Sequence, residues 1–360
     1  MILAGGSGVR LWPMSRRTEP KQLIPFIGGR SLLEAAASRL EGLIPPERIY
    51  VCALEEHRER ILAALEGWTS ERVLGEPVGR DTLSAVTFGA AVMARRDPDA
   101  TVAVFTADHL IEPVAKFQEI VNHGFSLVER RPDMLVTFGI TPTEGAPGFG
   151  YLELGDSIEP GASKVREFRE KPDPATAEGY FRAGPSRYLW NSGMFVWRAS
   201  TLLECVRRYE PAVHEGILRI AAAWDTPERE STLKAVYPSL KKQSVDFGIM
   251  EPATRDGSVP VAAIPMPLEW LDVGSWPMFA KTCPADGNGN ALAAERHLLL
   301  GTSNTMVASS DPGHVIAVVG CDDLIVVHTP DATLVCRAGS AQDIKKLHKE
   351  LGDKFGGEYI

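Results

Sequence analysis

Apolar runs typical of buried strands alternate with amphipathic helical segments through the first 140 residues. Thr101–Phe105 and Met134–Ile140 are apolar apart from one threonine each, whereas 81–96 carries apolar residues on one helical face. Strands separated by helices of this length form βαβ units, and their sheet is buried on both faces. We therefore expect an α/β, Rossmann-like fold with a mostly parallel sheet and helices on both faces.

The pattern changes twice further along the chain. From Thr141 to about 265, glycine, proline and short strands predict a lobe that encloses a substrate. After about Gly287, short β runs recur about every ten residues and a helical segment, Ala341–Leu351, follows them. That spacing is typical of a small β-roll or β-helix. We predict a first domain over 1–287, with its lobe at 141–265, and a second over 288–360.

Charge and composition narrow the class of protein. The net charge of −9 argues against nucleic acid or an anionic membrane as a partner. No apolar run approaches the roughly 20 residues that span a bilayer, and the five cysteines form no C-x-x-C pair. We expect a cytoplasmic protein with reduced thiols. Because the chain begins almost inside its first predicted strand, it stays open whether native residues precede Met1.

A glycine-rich turn follows that first strand. Residues 3–10 read Leu-Ala-Gly-Gly-Ser-Gly-Val-Arg, and Arg16, Arg17 and Lys21 come soon after. Glycines let backbone N–H groups approach a phosphate, and the cations neutralise its charge. A P-loop is excluded because Gly-Lys occurs nowhere, and a dinucleotide fingerprint because Leu11 stands where its third glycine is needed. The turn predicts a different kind of triphosphate site.

Two aspartates are candidate metal ligands. Asp108 comes at the carboxyl end of a predicted parallel strand, where α/β sheets bind ligands, and Asp272 precedes a helix. Each could instead be a helix cap or a turn residue. A nucleoside triphosphate arrives with Mg²⁺, which takes one or two carboxylates besides phosphate oxygens. His109 has no second histidine at metal-ligand spacing, so we expect it to support the site rather than to bind metal.

The turn resembles the signature of sugar-1-phosphate nucleotidyltransferases, Gly-Gly-x-Gly-Thr-Arg-Leu-x-Pro followed by Pro-Lys. Trp12 and Gln22 favour the bacterial mannose-1-phosphate guanylyltransferase branch, although Val9 and Asp81 stand where that family has Thr and Asn. The resemblance implies a GT-A-like nucleotidyltransferase fold. Further segments resemble this family in order: Glu76–Thr82, Gly148–Tyr151, Val165–Pro172, Trp190–Phe195, Ser244–Glu251, Trp270–Trp276 and Thr329–Val335.

The resemblance also implies roles for particular residues. Asp108 and Asp272 would hold Mg²⁺ or another divalent metal such as Mn²⁺, while Arg10, Lys21 and Lys171 would be the catalytic cations. The residues implied to bind the nucleotide are Leu3, Ala4, Gly5, Gly6, Ser7, Gly8, Glu76, Gly79, Arg80 and Thr82, and those implied to bind the sugar are Gly150, Glu167, Lys171 and Asn191.

The activity implied is transfer of GMP from GTP to α-D-mannose 1-phosphate, which gives GDP-mannose and pyrophosphate. Two alternatives stay open at this point. One is the same chemistry on another nucleotide or another sugar, such as a heptose or fucose phosphate. The other is a catalytically silent homologue that senses nucleotide sugars. Retention of the charged residues expected at the active site argues against it; they are Arg10, Lys21, Asp108, Lys171 and Asp272. A homodimer is a further expectation.

Overall fold

A computed structural model describes residues 1–6, 8–25 and 29–360 of the chain. Backbone contacts divide it into two units. Unit 1 comprises Met1–Gly5, Ala36–Thr106 and Ile111–Trp270, and unit 2 comprises Gly6–Ala35, Ala107–Leu110 and Leu271–Ile360. This division differs from a boundary at 287/288, which stays a prediction.

Unit 1 is built on a nine-stranded sheet. In chain order the strands up to residue 272 are β1 Ile2–Leu3, β2 Val51–Leu54, β3 Val73–Glu76, β4 Thr101–Thr106, β5 His109–Glu112, β6 Leu135–Ile140, β7 Tyr151–Glu159, β8 Ala162–Arg169, β9 Tyr188–Arg198, β10 Val261–Pro265 and β11 Glu269–Asp272. The sheet order is β3-β2-β1-β4-β9-β6-β10-β8-β7, and β5 pairs with β11 separately.

The two halves of this sheet differ in strand direction. β1 to β4 pair in parallel, as expected, and β6 pairs in parallel with β10. β9 runs antiparallel to both β4 and β6, and the β7–β8 hairpin is antiparallel as well. A hairpin turn forces antiparallel pairing, so the lobe makes the sheet mixed. The α/β fold class is confirmed, with this correction to the expected strand directions.

The α-helices of this part of the chain are α1 Leu32–Ser38, α2 Arg58–Ala64, α3 Asp81–Arg96, α4 Val114–Arg130, α5 Pro174–Ala183, α6 Ala199–Tyr209, α7 Pro211–Ala222, α8 Arg229–Val236 and α9 Glu251–Asp256. Those that contact strands of the unit 1 sheet are α2, α3, α4, α5, α6 and α9, whereas α7 and α8 pack on other helices. α3 has the predicted bounds and is buried from Leu83 to Val92 in the unit 1 core. A π-helix, Asp246–Met250, runs directly into α9.

Unit 2 contains the short β runs expected near the carboxyl end. α10 Trp276–Ala280 precedes β12 Ala291–Ala293, β13 Arg296–Leu300, β14 Met306–Ser309, β15 Val315–Val319, β16 Leu324–Thr329 and β17 Ala332–Arg337, and α11 Ile344–Phe355 follows them. Parallel pairing of β12 with β14, β13 with β15 and β14 with β16 is the pattern of a β-helix. Leu11, Trp12 and Met14 share a core with these strands.

Among the described residues, no helix combines the length and the apolar character needed to cross a membrane.

Candidate functional site

The predicted metal ligands come together in unit 2. Val273 N donates to the Asp108 carbonyl oxygen at 3.0 Å, which aligns the end of β11 with the start of β5. Asp108, His109 and Asp272 each offer a ligand atom, and these atoms lie within 4.8 Å of one another. We call these three residues the carboxylate cluster. The structure thus adds His109 to the predicted pair of aspartates as a third possible metal ligand.

The donor set of the carboxylate cluster fits a divalent metal ion. Carboxylate oxygens suit Mg²⁺, and an imidazole nitrogen beside them also suits Mn²⁺. Asp108 and Asp272 are half-buried and His109 is buried, so water does not fully screen these groups. This donor set therefore matches the metal requirement of a protein that binds a nucleoside triphosphate.

Lys21 is held against the carboxylate cluster. Lys21 is buried, and its Nζ donates to Asp108 Oδ2 at 2.7 Å and to the Val273 carbonyl oxygen at 3.3 Å. Burial alone raises the pKa of Asp108, but the charges of Lys21 and His109 outweigh burial and lower it to about 2. Asp108 is consequently ionised at neutral pH, as a metal ligand must be.

The turn before Lys21 needs glycine at two positions. Gly6 has φ +106° and Gly8 has φ +56°, which side-chain-bearing residues adopt at a cost. A Cβ on Gly8 would lie 2.4 Å from Ser15 Oγ and 3.0 Å from Lys21 Cβ, so Gly8 also lets the chain pass close to Lys21. Leu3 ends β1 and Ala4 N donates to the Cys52 carbonyl oxygen in unit 1, and Ser7 lies outside the described residues.

Arg10 lies beside the segment that carries Asp272. A Cβ on Gly274 would be 3.2 Å from Arg10 Nη2 and also 3.2 Å from Asp272 Oδ1, so the absent side chain leaves room for both. Arg10 Nη1 donates to Gln342 Oε1 at 3.5 Å. Arg16 instead binds Asp331 Oδ1 at 2.8 Å. Arg10 and Lys21 are therefore two cations of the basic run that lie beside the segments carrying the metal ligands.

Unit 1 contains a separate cavity of about 590 Å³, which we call the unit 1 cavity. Its lining includes Thr82, from the segment predicted to bind the nucleotide, and Lys171, which is predicted to bind the sugar phosphate. Gly79 and Arg80 come just before α3. The full lining is Asp81, Thr82, Glu170, Lys171, Lys242, Gln243, Ser244, Asp246 and Phe247.

Lys171 is paired inside this cavity. Its Nζ donates to Glu170 Oε1. Burial opposes protonation, but Glu170, Asp246 and Asp81 raise the pKa of Lys171 above its ordinary value. A lysine that is permanently charged and faces a cavity is a suitable partner for a phosphate dianion.

The other predicted sugar ligands divide into two groups. Gly150 and Asn191 lie beside Glu170: Asn191 N donates to the Gly150 carbonyl oxygen at 2.8 Å, and a Cβ on Gly150 would be 2.5 Å from Glu170 Oε2. Glu167 lies on the exposed face of β8 opposite Glu153, outside the cavity lining. The buried carboxylate of this segment is Glu170, and a sugar contact by Glu167 stays a prediction.

Glu76, predicted to lie beside the base, is buried in unit 1. Its Oε1 accepts a hydrogen bond from Tyr237 Oη at 2.6 Å, and burial raises its pKa despite that bond. Its contact with the nucleotide stays a prediction. Sequence reasoning gave no role to Gln243 or Asp246, although the segment Ser244–Glu251 matched the family pattern.

Comparison with known proteins identifies the family of the chain. Residues 1–288 match the nucleotidyl transferase family, and residues 295–351 match the MannoseP isomerase/GMP-like beta-helix domain. The chain belongs to the nucleotidyl transferase family, in the branch that contains the mannose-1-phosphate guanylyltransferases.

Individual relatives cover nearly the whole chain. The xanthan biosynthesis protein XanB of Xanthomonas campestris pv. campestris is 37% identical over 98% of this chain and 72% of its own. A mannose-1-phosphate guanylyltransferase of Escherichia coli is 33% identical over 100% of this chain and 75% of its own. A crystal structure from Thermus thermophilus, described as mannose-1-phosphate geranyltransferase, has a TM-score of 0.85 and 32% identity and covers 97% of this chain and 98% of its own.

Proposed function

We propose that the protein transfers GMP from GTP to α-D-mannose 1-phosphate and releases GDP-mannose and pyrophosphate. The observation that carries this proposal is the carboxylate cluster with Lys21 bound to it, in a chain similar over its full length to a named mannose-1-phosphate guanylyltransferase. Two anionic substrates must meet in this reaction, and the chain supplies a metal-ligand set and several cations for them.

The reaction needs no general base. The second pKa of a phosphate monoester is about 6, so the attacking oxygen of mannose 1-phosphate is already ionised at neutral pH. The obstacle is repulsion between two anions, which positioning and charge neutralisation overcome. This chemistry matches sites rich in lysine, arginine and aspartate.

Each residue has a separate task in this proposal. Asp108 and Asp272 hold a divalent metal, Mg²⁺ or Mn²⁺, which when bound neutralises charge on the phosphates. Arg10 and Lys21 bind the triphosphate of GTP. The backbone of the glycine turn, from Leu3 to Gly8, and the segment Glu76–Thr82 hold the nucleotide. Lys171 binds the phosphate of mannose 1-phosphate, beside Gly150 and Asn191.

Purified protein incubated with GTP, mannose 1-phosphate and Mg²⁺ tests the activity. We expect equimolar pyrophosphate and GDP-mannose, identified by mass spectrometry, and no product in EDTA. Failure to form any nucleotide sugar at saturating substrates and metal would contradict the proposal. A cytoplasmic location and a homodimer are further proposals, and light scattering on the purified protein tests the homodimer.

A further inference from the structure

Part of the backbone that lines the unit 1 cavity adopts strained conformations. Asp81 and Lys171 are not glycines, yet they have φ +65° and φ +45°. Asp246, which also lines the cavity, begins a π-helix. Positive φ costs energy at such residues and π-helical turns are rare, and both concentrate at functional sites. The strained backbone therefore indicates that the lining of the unit 1 cavity has a functional role.

Asn191 connects the cavity wall to the sheet interior. Thr137 Oγ1, buried on β6, donates to Asn191 Oδ1 at 2.9 Å. Asn191 Nδ2 donates in turn to Asp246 Oδ1 at 3.0 Å. An amide NH2 group only donates and an amide oxygen only accepts, so in this arrangement the Asn191 nitrogen faces Asp246 and its oxygen faces Thr137. Both ends of the amide are thereby engaged within the protein.

Asp246 is held by these bonds and still has capacity for a ligand. The Ser244 side chain also donates to it, yet an ionised carboxylate has about four lone-pair sites. Glu170 places a second carboxylate beside it, and Lys171 pairs with Glu170. Two neighbouring carboxylates repel each other, and a ligand rich in hydroxyl donors relieves this by hydrogen bonding to both.

We propose that Asp246 reads the hydroxyl groups of the hexose 1-phosphate and that Asn191 positions Asp246 for this task. The proposal rests on the function proposed above and names the residues that select the sugar. Lys171 then holds the phosphate while Asp246, with Glu170, accepts hydrogen bonds from the ring hydroxyls. Asn191 acts through Asp246, and the Thr137 bond sets its orientation.

Steady-state kinetics of Asp246→Asn tests the assignment. We expect kcat/KM for mannose 1-phosphate to fall about 10- to 100-fold, because a hydrogen bond to a charged acceptor becomes a weaker one. KM for GTP should change less than about twofold. The preference for mannose 1-phosphate over glucose 1-phosphate should shrink, because the two sugars differ in the orientation of one hydroxyl. Asp256→Asn, on the exposed end of α9, is the matched control and should retain wild-type kinetics.

The positioning role of Asn191 predicts a particular pattern. Asn191→Ala should lower the same selectivity ratio but add little to Asp246→Asn in the double variant, since both changes disable one acceptor. Asp246→Glu keeps the charge and moves the oxygens, so it should lose selectivity too. Asp246→Glu is the variant that tests the assignment of Asp246 if Asp246→Asn fails to fold.

Unchanged selectivity and unchanged KM for mannose 1-phosphate in folded Asp246 variants would overturn the assignment, and so would a change confined to GTP. These outcomes require an active wild type. A wild type that forms no nucleotide sugar would instead contradict the proposed function, so the two failures are distinguishable.

Discussion

Replacing Asp246 with Asn should stabilise the substrate-free protein at alkaline pH. Burial and the neighbouring charge of Glu170 raise the pKa of Asp246 from 3.8 to about 7, against the opposing effects of its backbone bond, Lys171 and Ser244. A carboxyl group whose pKa is raised on folding does not lower the free energy of unfolding at a pH below its unfolded pKa, because it is protonated in both states. As the pH rises from about 4 through about 7, the unfolded chain ionises more readily and the free energy of unfolding falls. Asn keeps an oxygen that can accept from Asn191, and it carries no charge at any pH.

The size of the effect follows from the shift. About three pKa units at about 1.4 kcal/mol each set an upper limit of about 4 kcal/mol for an isolated group. Asp246 is partly open to the cavity and shares its repulsion with Glu170, so we expect about 1–3 kcal/mol of added unfolding free energy at pH 8. At pH 4 the gain should vanish.

Urea unfolding of both proteins at pH 4, 6 and 8, without substrate or metal, measures this difference. Asp353→Asn, on the exposed face of α11, is the control and should show no comparable gain at pH 8. A gain of similar size at pH 4 and pH 8 would refute the electrostatic reasoning, and so would a loss of stability at pH 8. A residue that lowers stability yet is needed for sugar selection would be an activity–stability trade-off.

Other variants test other parts of the site. Asp108→Asn and Asp272→Asn should each lower kcat about 100-fold or more and weaken Mn²⁺ binding measured by electron paramagnetic resonance; wild-type values in either would contradict the metal assignment. Lys171→Ala should raise KM for mannose 1-phosphate far more than KM for GTP, and Lys21→Ala should show the opposite balance, so identical kinetic patterns would remove the distinction. Gly8→Ala should cost about 2 kcal/mol or more in urea unfolding, since φ is +56° and a Cβ would lie 2.4 Å from a side-chain oxygen; an unchanged midpoint would count against this conformation.

Local patterns in the sequence were sufficient for much of the fold. α3 begins and ends at the predicted residues because its apolar face repeats at helical spacing from Leu83 to Val92. The β runs after Gly287 were also predicted, since turn residues separate them at regular intervals. Strand direction was less accessible, because β9 reaches across from the lobe to pair antiparallel with β4 and β6. That pairing depends on distant parts of the chain.

The candidate site, like the fold, could be predicted from the sequence only in part. Asp108, Asp272 and Lys171 could be predicted as candidate site residues because each stands in a short segment with a family resemblance. Side-chain orientation was not accessible in this way: Glu167 and Glu170 are three residues apart, and only the structure shows which carboxylate is buried at the cavity. The role proposed for Asp246 depends on a π-helical turn that no apolar periodicity marks.

The most direct test of the account is a substrate panel assayed by pyrophosphate release. Mannose, glucose, fucose and heptose 1-phosphates are each combined with GTP, ATP and UTP at saturating Mg²⁺. We predict the highest kcat/KM for mannose 1-phosphate with GTP, and at least about tenfold below this with ATP, because an unpaired buried polar group costs about 1–3 kcal/mol. Equal kcat/KM for GTP and ATP, or a higher value for another sugar phosphate, would contradict the guanylyltransferase assignment.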